Sequence, residues 1–89
     1  MIAISRDDAI GRQIAAARMM AGLDQGQLAA LAGVSGSTVS NIERGRNTTP
    51  ASLKAIRRAL RDKDVALTFT HDQAIVGICF VDRNAGDED

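Results

Sequence analysis

Gln25-Gly-Gln-Leu-Ala-Ala-Leu-Ala-Gly-Val-Ser-Gly-Ser-Thr-Val-Ser-Asn-Ile-Glu-Arg-Gly45 is the stretch that decides the fold. Asp24 is placed to cap a helix beginning at Gln25, because its carboxylate can accept an otherwise unpaired first-turn N–H. Leu28, Ala29 and Ala32 share the inner face of that helix. Gly33-Val34-Ser35 breaks it, and Gly33 supplies the positive φ that a three-residue turn demands. Ser35 caps a second helix over residues 36–44, which turns Val39 and Ile42 inward and ends at Gly45. Ala29 is small where the two helices cross most closely. Val34, Val39 and Ile42 are the apolar positions that seat the second helix on the first. These features are informative because they occur in register; any one alone carries little.

Reading outward, Ser5 and Asp8 form a weak capping box, with Asp where Glu or Gln is usual. Ile10, Ile14, Ala17 and Ala21 then recur at spacings of four, three and four, an apolar helical stripe that Gly22 terminates. On the other side, Arg46-Asn47-Thr48-Thr49 is a polar loop. Thr49 followed by Pro50 marks a further helix start, since Pro is tolerated at the first helical position; Leu53, Ile56 and Leu60 face inward from it. After Asp64 the period changes from 3.6 to 2. Val65, Leu67 and Phe69 alternate with smaller residues, His71-Asp72-Gln73 makes a polar break, and residues 74–81 form a second strand-like run, so the pair predicts a hairpin. The expected fold is mainly α: four helices followed by a C-terminal β-hairpin. Residues 1–63 make the helical unit, 64–83 the hairpin, and 84–89 an acidic disordered tail. Ile2 and Ile4 could add a third strand.

With 89 residues the chain fits one small domain with an appendage. Its 11 basic and 11 acidic side chains sum to a formal charge of zero, which at first argues against a nucleic-acid partner. The distribution argues the reverse. Residues 1–63 hold ten basic and five acidic side chains, and residues 64–89 hold one basic and six acidic. A basic front joined to an acidic rear is a pattern of polyanion binders and of acidic tails. The absence of Trp and Tyr, with Phe69 and Phe80 the only aromatics, disfavours RNA modules that stack bases on aromatic platforms. One Cys and one His cannot close a four-ligand zinc site or an internal disulfide. No metal or cofactor is expected. No apolar run reaches the ~20 residues of a membrane span, and the N-terminus has no basic n-region or full h-region, so a cytoplasmic, nucleoid-associated protein is expected.

Residues 25–45 together read as a helix–turn–helix, and the sequence resembles the lambda repressor/Cro-like, or XRE, family of bacterial regulators. Arg18 ahead of Gly22-Leu23, and the spacing of Gly45, Pro50 and Leu53, resemble the family as well. The resemblance covers roughly residues 9–62. It implies that the helix opening at Gly36 lies in the major groove of double-stranded DNA with its first residues toward base edges. Base reading then falls to Gly36, Ser37, Ser40 and Asn41. Ser37 and Asn41 match the family's reading positions, and Asn can pair bidentately with adenine. Gly36 departs from the long Gln or Arg common there, which removes one reader. Gln25 matches a residue that bonds a DNA phosphate at a helix N-terminus. Thr38, Arg44, Arg46, Asn47 and Thr48 complete the expected backbone contacts. Arg18 and Glu43 match a pair that ties the first helix to the recognition helix, which accounts for an acid in a DNA-facing helix.

Other residues read more plainly. Arg57, Arg58, Arg61 and Lys63 wrap around their helix and are taken as a solvated surface. His71 is a turn residue and Cys79 a small buried hydrophobe. The second strand is apolar on both faces, with Val76, Ile78 and Phe80 on one and Ile75, Cys79 and Val81 on the other. One face can pack on the helices and the other needs a cover, so these six residues are the expected interface of a homodimer. A two-fold dimer would set two recognition helices about one DNA turn, ~34 Å, apart. No nucleophile elbow, phosphate loop or converging carboxylate pair is present, so no enzyme is expected; the resemblance implies a dimeric, sequence-specific transcriptional repressor. The alternatives are an activator that contacts RNA polymerase, or the antitoxin of a toxin–antitoxin pair.

Overall fold

Capping chemistry sets where the helices begin. In the computed structural model, which describes residues 6–46, 48–69 and 75–81, α1 spans Arg6–Met20, α2 Gln25–Ala32, α3 Gly36–Glu43 and α4 Pro50–Asp62. Strands β1 (Val65–Phe69) and β2 (Ile75–Phe80) follow. The Asp24 carboxylate accepts from the Gln27 amide at 2.7 Å, and the Gln27 side chain accepts from the Asp24 amide at 2.9 Å, a reciprocal capping box. Ser35 Oγ accepts from the Thr38 amide at 3.1 Å, and Thr49 Oγ1 from the Ser52 amide at 3.2 Å, with Pro50 at the first position of α4. Gly33 closes α2 at φ 73°. The expected Ser5 cap and a third strand from Ile2 and Ile4 lie outside the described residues.

The apolar periodicities meet in one core. Ile10, Ile14 and Ala17 of α1 are buried with Leu28 and Ala29 of α2, Val39 and Ile42 of α3, Ile56, Ala59 and Leu60 of α4, and Val65 of β1. Helix α3 packs on α1 and α2, and α4 packs on α2. Gly11 marks a close approach between α1 and α3. A Cβ at Gly11 would lie 2.7 Å from the Glu43 carbonyl oxygen and closer still to that of Ile42. Only a residue without a side chain lets α1 lie against the end of α3.

The hairpin is antiparallel and packs against both α4 and α1. Val65 pairs with Phe80 and Leu67 with Ile78, so these four share one face. Val65 is fully buried, while Leu67 and Ile78 pack on the core as half-buried residues. Ile78, one of the six expected interface residues, thus faces the chain's own helices. The opposite face carries Ala66, Thr68, Gly77 and Cys79, which is less apolar than the bare alternation suggests, because Gly77 interrupts it. Cys79 is exposed rather than buried, Phe80 is 65% exposed at the strand end, and Val81 is half-buried. The side chains of Ile75 and Val76, and the acidic segment 84–89, lie outside what is described.

Candidate nucleic-acid interface

Helix α3 is held by its inner face and by its end. Val39 and Ile42 are buried. Beside them, Glu43 anchors a polar junction. Arg18 Nε donates to Glu43 Oε2 at 2.8 Å and Nη2 to Oε1 at 3.2 Å, while Nη1 donates to the Leu23 carbonyl at 3.0 Å. The two side chains are only 15% and 7% exposed. The hydrogen bond to Glu43 is the main cause that raises the Arg18 pKa above its ordinary value, with burial opposing it. A guanidinium is charged at any working pH in any case. The forked geometry of Arg on a carboxylate fixes angle as well as distance, so the pair orients α3 on α1.

Gln25 joins the same junction. Its Nε2 donates to Glu43 Oε1 at 3.0 Å, a link that sequence reading alone did not find. A primary amide has two N–H donors, so this bond positions the side chain at the start of α2 and leaves a second donor. The N-terminus of α2 has a further feature with electrostatic weight. Its cap is Asp24, an exposed carboxylate. The cap satisfies Gln27 N–H, but its charge offsets the positive dipole end that would otherwise attract phosphate.

The remaining candidates divide by exposure. Gly36, Ser37, Arg44 and Arg46 are exposed; Thr38, Ser40 and Asn41 are half-buried on the same helix. A Cβ at Gly36 would meet nothing within 4 Å, so the first turn of α3 presents bare backbone. Thr38 Oγ1 lies 2.8 Å from Ser35 Oγ, so its hydroxyl is engaged in the cap region. The Asn41 carbonyl accepts from the Arg46 amide at 2.7 Å, and this bond folds the loop back beside α3 and brings Arg46 next to Arg44. Thr48 is different. Its Oγ1 is buried without a hydrogen-bond partner among the described residues, so this oxygen does not face the solvent from which a phosphate would come. Asn47 lies outside the described residues. The helix–turn–helix thus displays a short polar surface with two exposed arginines at the end of α3, which is seated on α1 and α2.

Among the described residues, no group of His, Cys, Asp and Glu could hold a metal ion, and no helix is long and apolar enough to cross a membrane.

No curated protein matches the chain. Among solved structures, the clp gene regulator ClgR from C. glutamicum is similar, with a TM-score of 0.61 and 27% sequence identity, over 65% of this chain and 76% of that one. The model of the helix-turn-helix family HTH_3 matches residues 14–66. That span takes in α2, the Gly33 turn, α3 and α4, more than half of the sequence, and the chain belongs to this XRE-type helix-turn-helix family.

Proposed function

We propose that the chain is a DNA-binding transcriptional regulator that reads double-stranded DNA with α3. The observation that carries this reading is the outer surface of α3, polar and accessible, while its inner face is locked by Val39, Ile42 and the Arg18–Glu43 pair. Family membership and the likeness to a gene regulator support it. Ser37, Ser40 and Asn41, with the Gly36 backbone, meet base edges. Arg44 and Arg46, with Gln25, Thr38, Asn47 and Thr48, surround the sugar-phosphate backbone; Thr48 does so only after its hydroxyl turns outward. The helical part, residues 1–63, is the DNA-binding unit, and this binding role involves no catalysis. The site of action is the nucleoid in the cytoplasm.

A homodimer acting as a repressor is the finer reading. Its interface is the hairpin 64–83: Phe80 and Cys79, exposed on opposite faces of the strand, with Ile75, Val76 and Val81, and with Ile78 contributing only through its exposed fraction. The exposed Phe80 supports it, since a large aromatic at a strand end gains most by burial against a second copy. Phe80→Asp is expected to give a folded monomer by sedimentation; a folded dimer would show that the hairpin is not the interface. Activation through contact with polymerase, and an antitoxin role with a toxin partner, remain distinct outcomes, separated by transcription assays and by co-purification of a second chain.

DNA binding itself is tested by gel shift on fragments selected from genomic DNA and on random DNA, at two salt concentrations. Binding should weaken steeply as salt rises. Asn41→Ala should cost roughly 1–3 kcal/mol on the selected fragment and far less on random DNA. Failure to bind either DNA at low salt would overturn the reading and leave a protein-interaction module.

A further inference from the structure

Helix α4 carries Lys54, Arg57, Arg58 and Arg61 at i, i+3, i+4 and i+7, the spacing of one helical face. The structure gathers all four around a cleft of about 300 Å³ between α4 and β1, completed by Ala66 and Leu67. This set differs from the cluster of Arg57, Arg58, Arg61 and Lys63, which wraps around the helix. Lys63, which that cluster includes, caps the C-terminus of α4 and takes no part in the cleft lining. Lys54, which it omits, does. All four cations are exposed, and Arg57 and Arg61 also take part in intramolecular interactions.

Like charges three and four apart on a helix repel one another. A concave wall concentrates their field rather than dispersing it. Among the described residues no acidic side chain is part of the lining; Asp62 and Asp64 stand between Arg61 and Ala66 in the sequence, and Asp64 takes part in intramolecular interactions. Lys54 to Arg61 spans roughly 10 Å of helix axis. Three of the four cations are guanidiniums, whose planar forks match phosphate and carboxylate oxygens two at a time. Ala66 and Leu67 give the cleft an apolar side, as in sites that hold a small molecule by its body and its charges together. The cleft belongs to α4 and β1, whereas α3 packs on α1 and α2, so it is built on different elements from the reading helix.

We propose that this cleft binds a small polyanion, a molecule presenting two or more phosphate or carboxylate groups within the length of the cation row. The site is independent of the DNA-contacting residues, so the proposal stands or falls separately from the function above. The test is calorimetric titration of the full chain with inorganic tripolyphosphate, and in a second arm with citrate, at physiological salt. One site per chain is expected. Lys54→Gln with Arg58→Gln should weaken tripolyphosphate binding by about tenfold or more. Arg44→Gln with Arg46→Gln removes the same charge elsewhere, and should change it by less than about twofold. Both pairs are surface changes, and thermal melts check that the fold persists. Binding of tripolyphosphate alone assigns phosphate chemistry, and binding of both ligands assigns clustered oxyanions in general; either outcome supports the site. No saturable binding, or equal losses in the two double variants, overturns it. So does a Lys54/Arg58 variant that loses DNA affinity and keeps tripolyphosphate.

Discussion

Two glycines and one ion pair show how much single positions decide. Gly11 and Gly36 are both helical, yet a methyl group would have opposite effects. At Gly11 it meets the carbonyl oxygens of Ile42 and Glu43, so Gly11→Ala should destabilise the protein by about 1–3 kcal/mol as α1 is pushed off α3. At Gly36 it enters open space, so Gly36→Ala should be neutral or stabilising by up to about 0.5–1 kcal/mol. Urea unfolding of the two variants provides the comparison. Arg18→Ala should cost on the order of 2–3 kcal/mol, because it leaves Glu43, 7% exposed, without its counter-charge. Arg18→Ala with Glu43→Gln should recover part of that loss, since the second change removes the stranded charge. The Arg18–Glu43 partnership was legible only through family resemblance: 25 residues separate the two, and no local pattern joins them. Gly11 was not legible at all, because close approach between helices leaves no periodic signal in either one.

The elements themselves were largely written in local chemistry. Asp24, Ser35 and Thr49 act as N-caps, Gly33 takes its left-handed conformation, and the change of period at Asp64 marks the strands. The end of α3 falls at Glu43, one residue before the expected boundary, which is the usual uncertainty of a frayed last turn. Local patterns say less about what faces what. They left open which face of the second strand packs on the helices, and register across the hairpin turns Ile78 inward with Leu67. They also showed Asp24 as a cap without its electrostatic cost. Asn caps a helix about as well as Asp but carries no charge. Asp24→Asn should therefore leave the melting temperature nearly unchanged while raising DNA affinity several-fold, by about 0.3–1 kcal/mol. The gain should shrink as salt is added. A gel shift at two ionic strengths measures both, and an affinity unaffected by the change would place the α2 N-terminus away from the DNA.

At the scale of the whole molecule, zero net charge conceals a working arrangement. The helical part gathers the cations, some at the end of α3 and some along α4, and the sequence after residue 63 is acidic. Among the described residues, the hairpin's share of the core is Val65, with Leu67 and Ile78 leaning on the helices. Contact-poor elements open first, so the strands are expected to detach while the helices stay folded. One bond bears on how that opening runs. Asp64 sits between α4 and β1 at φ 66°, and its carbonyl accepts from the Val81 amide at 2.7 Å, beyond the end of β2. The chain enters and leaves the hairpin at the same point, which makes the hairpin a closed loop fastened at its base. Hydrogen exchange should therefore rank the amides in reverse of ordinary strand fraying. Val81, although outside the strand, should exchange more slowly than the amide of Gly77, because releasing it requires the whole hairpin to let go of the helices.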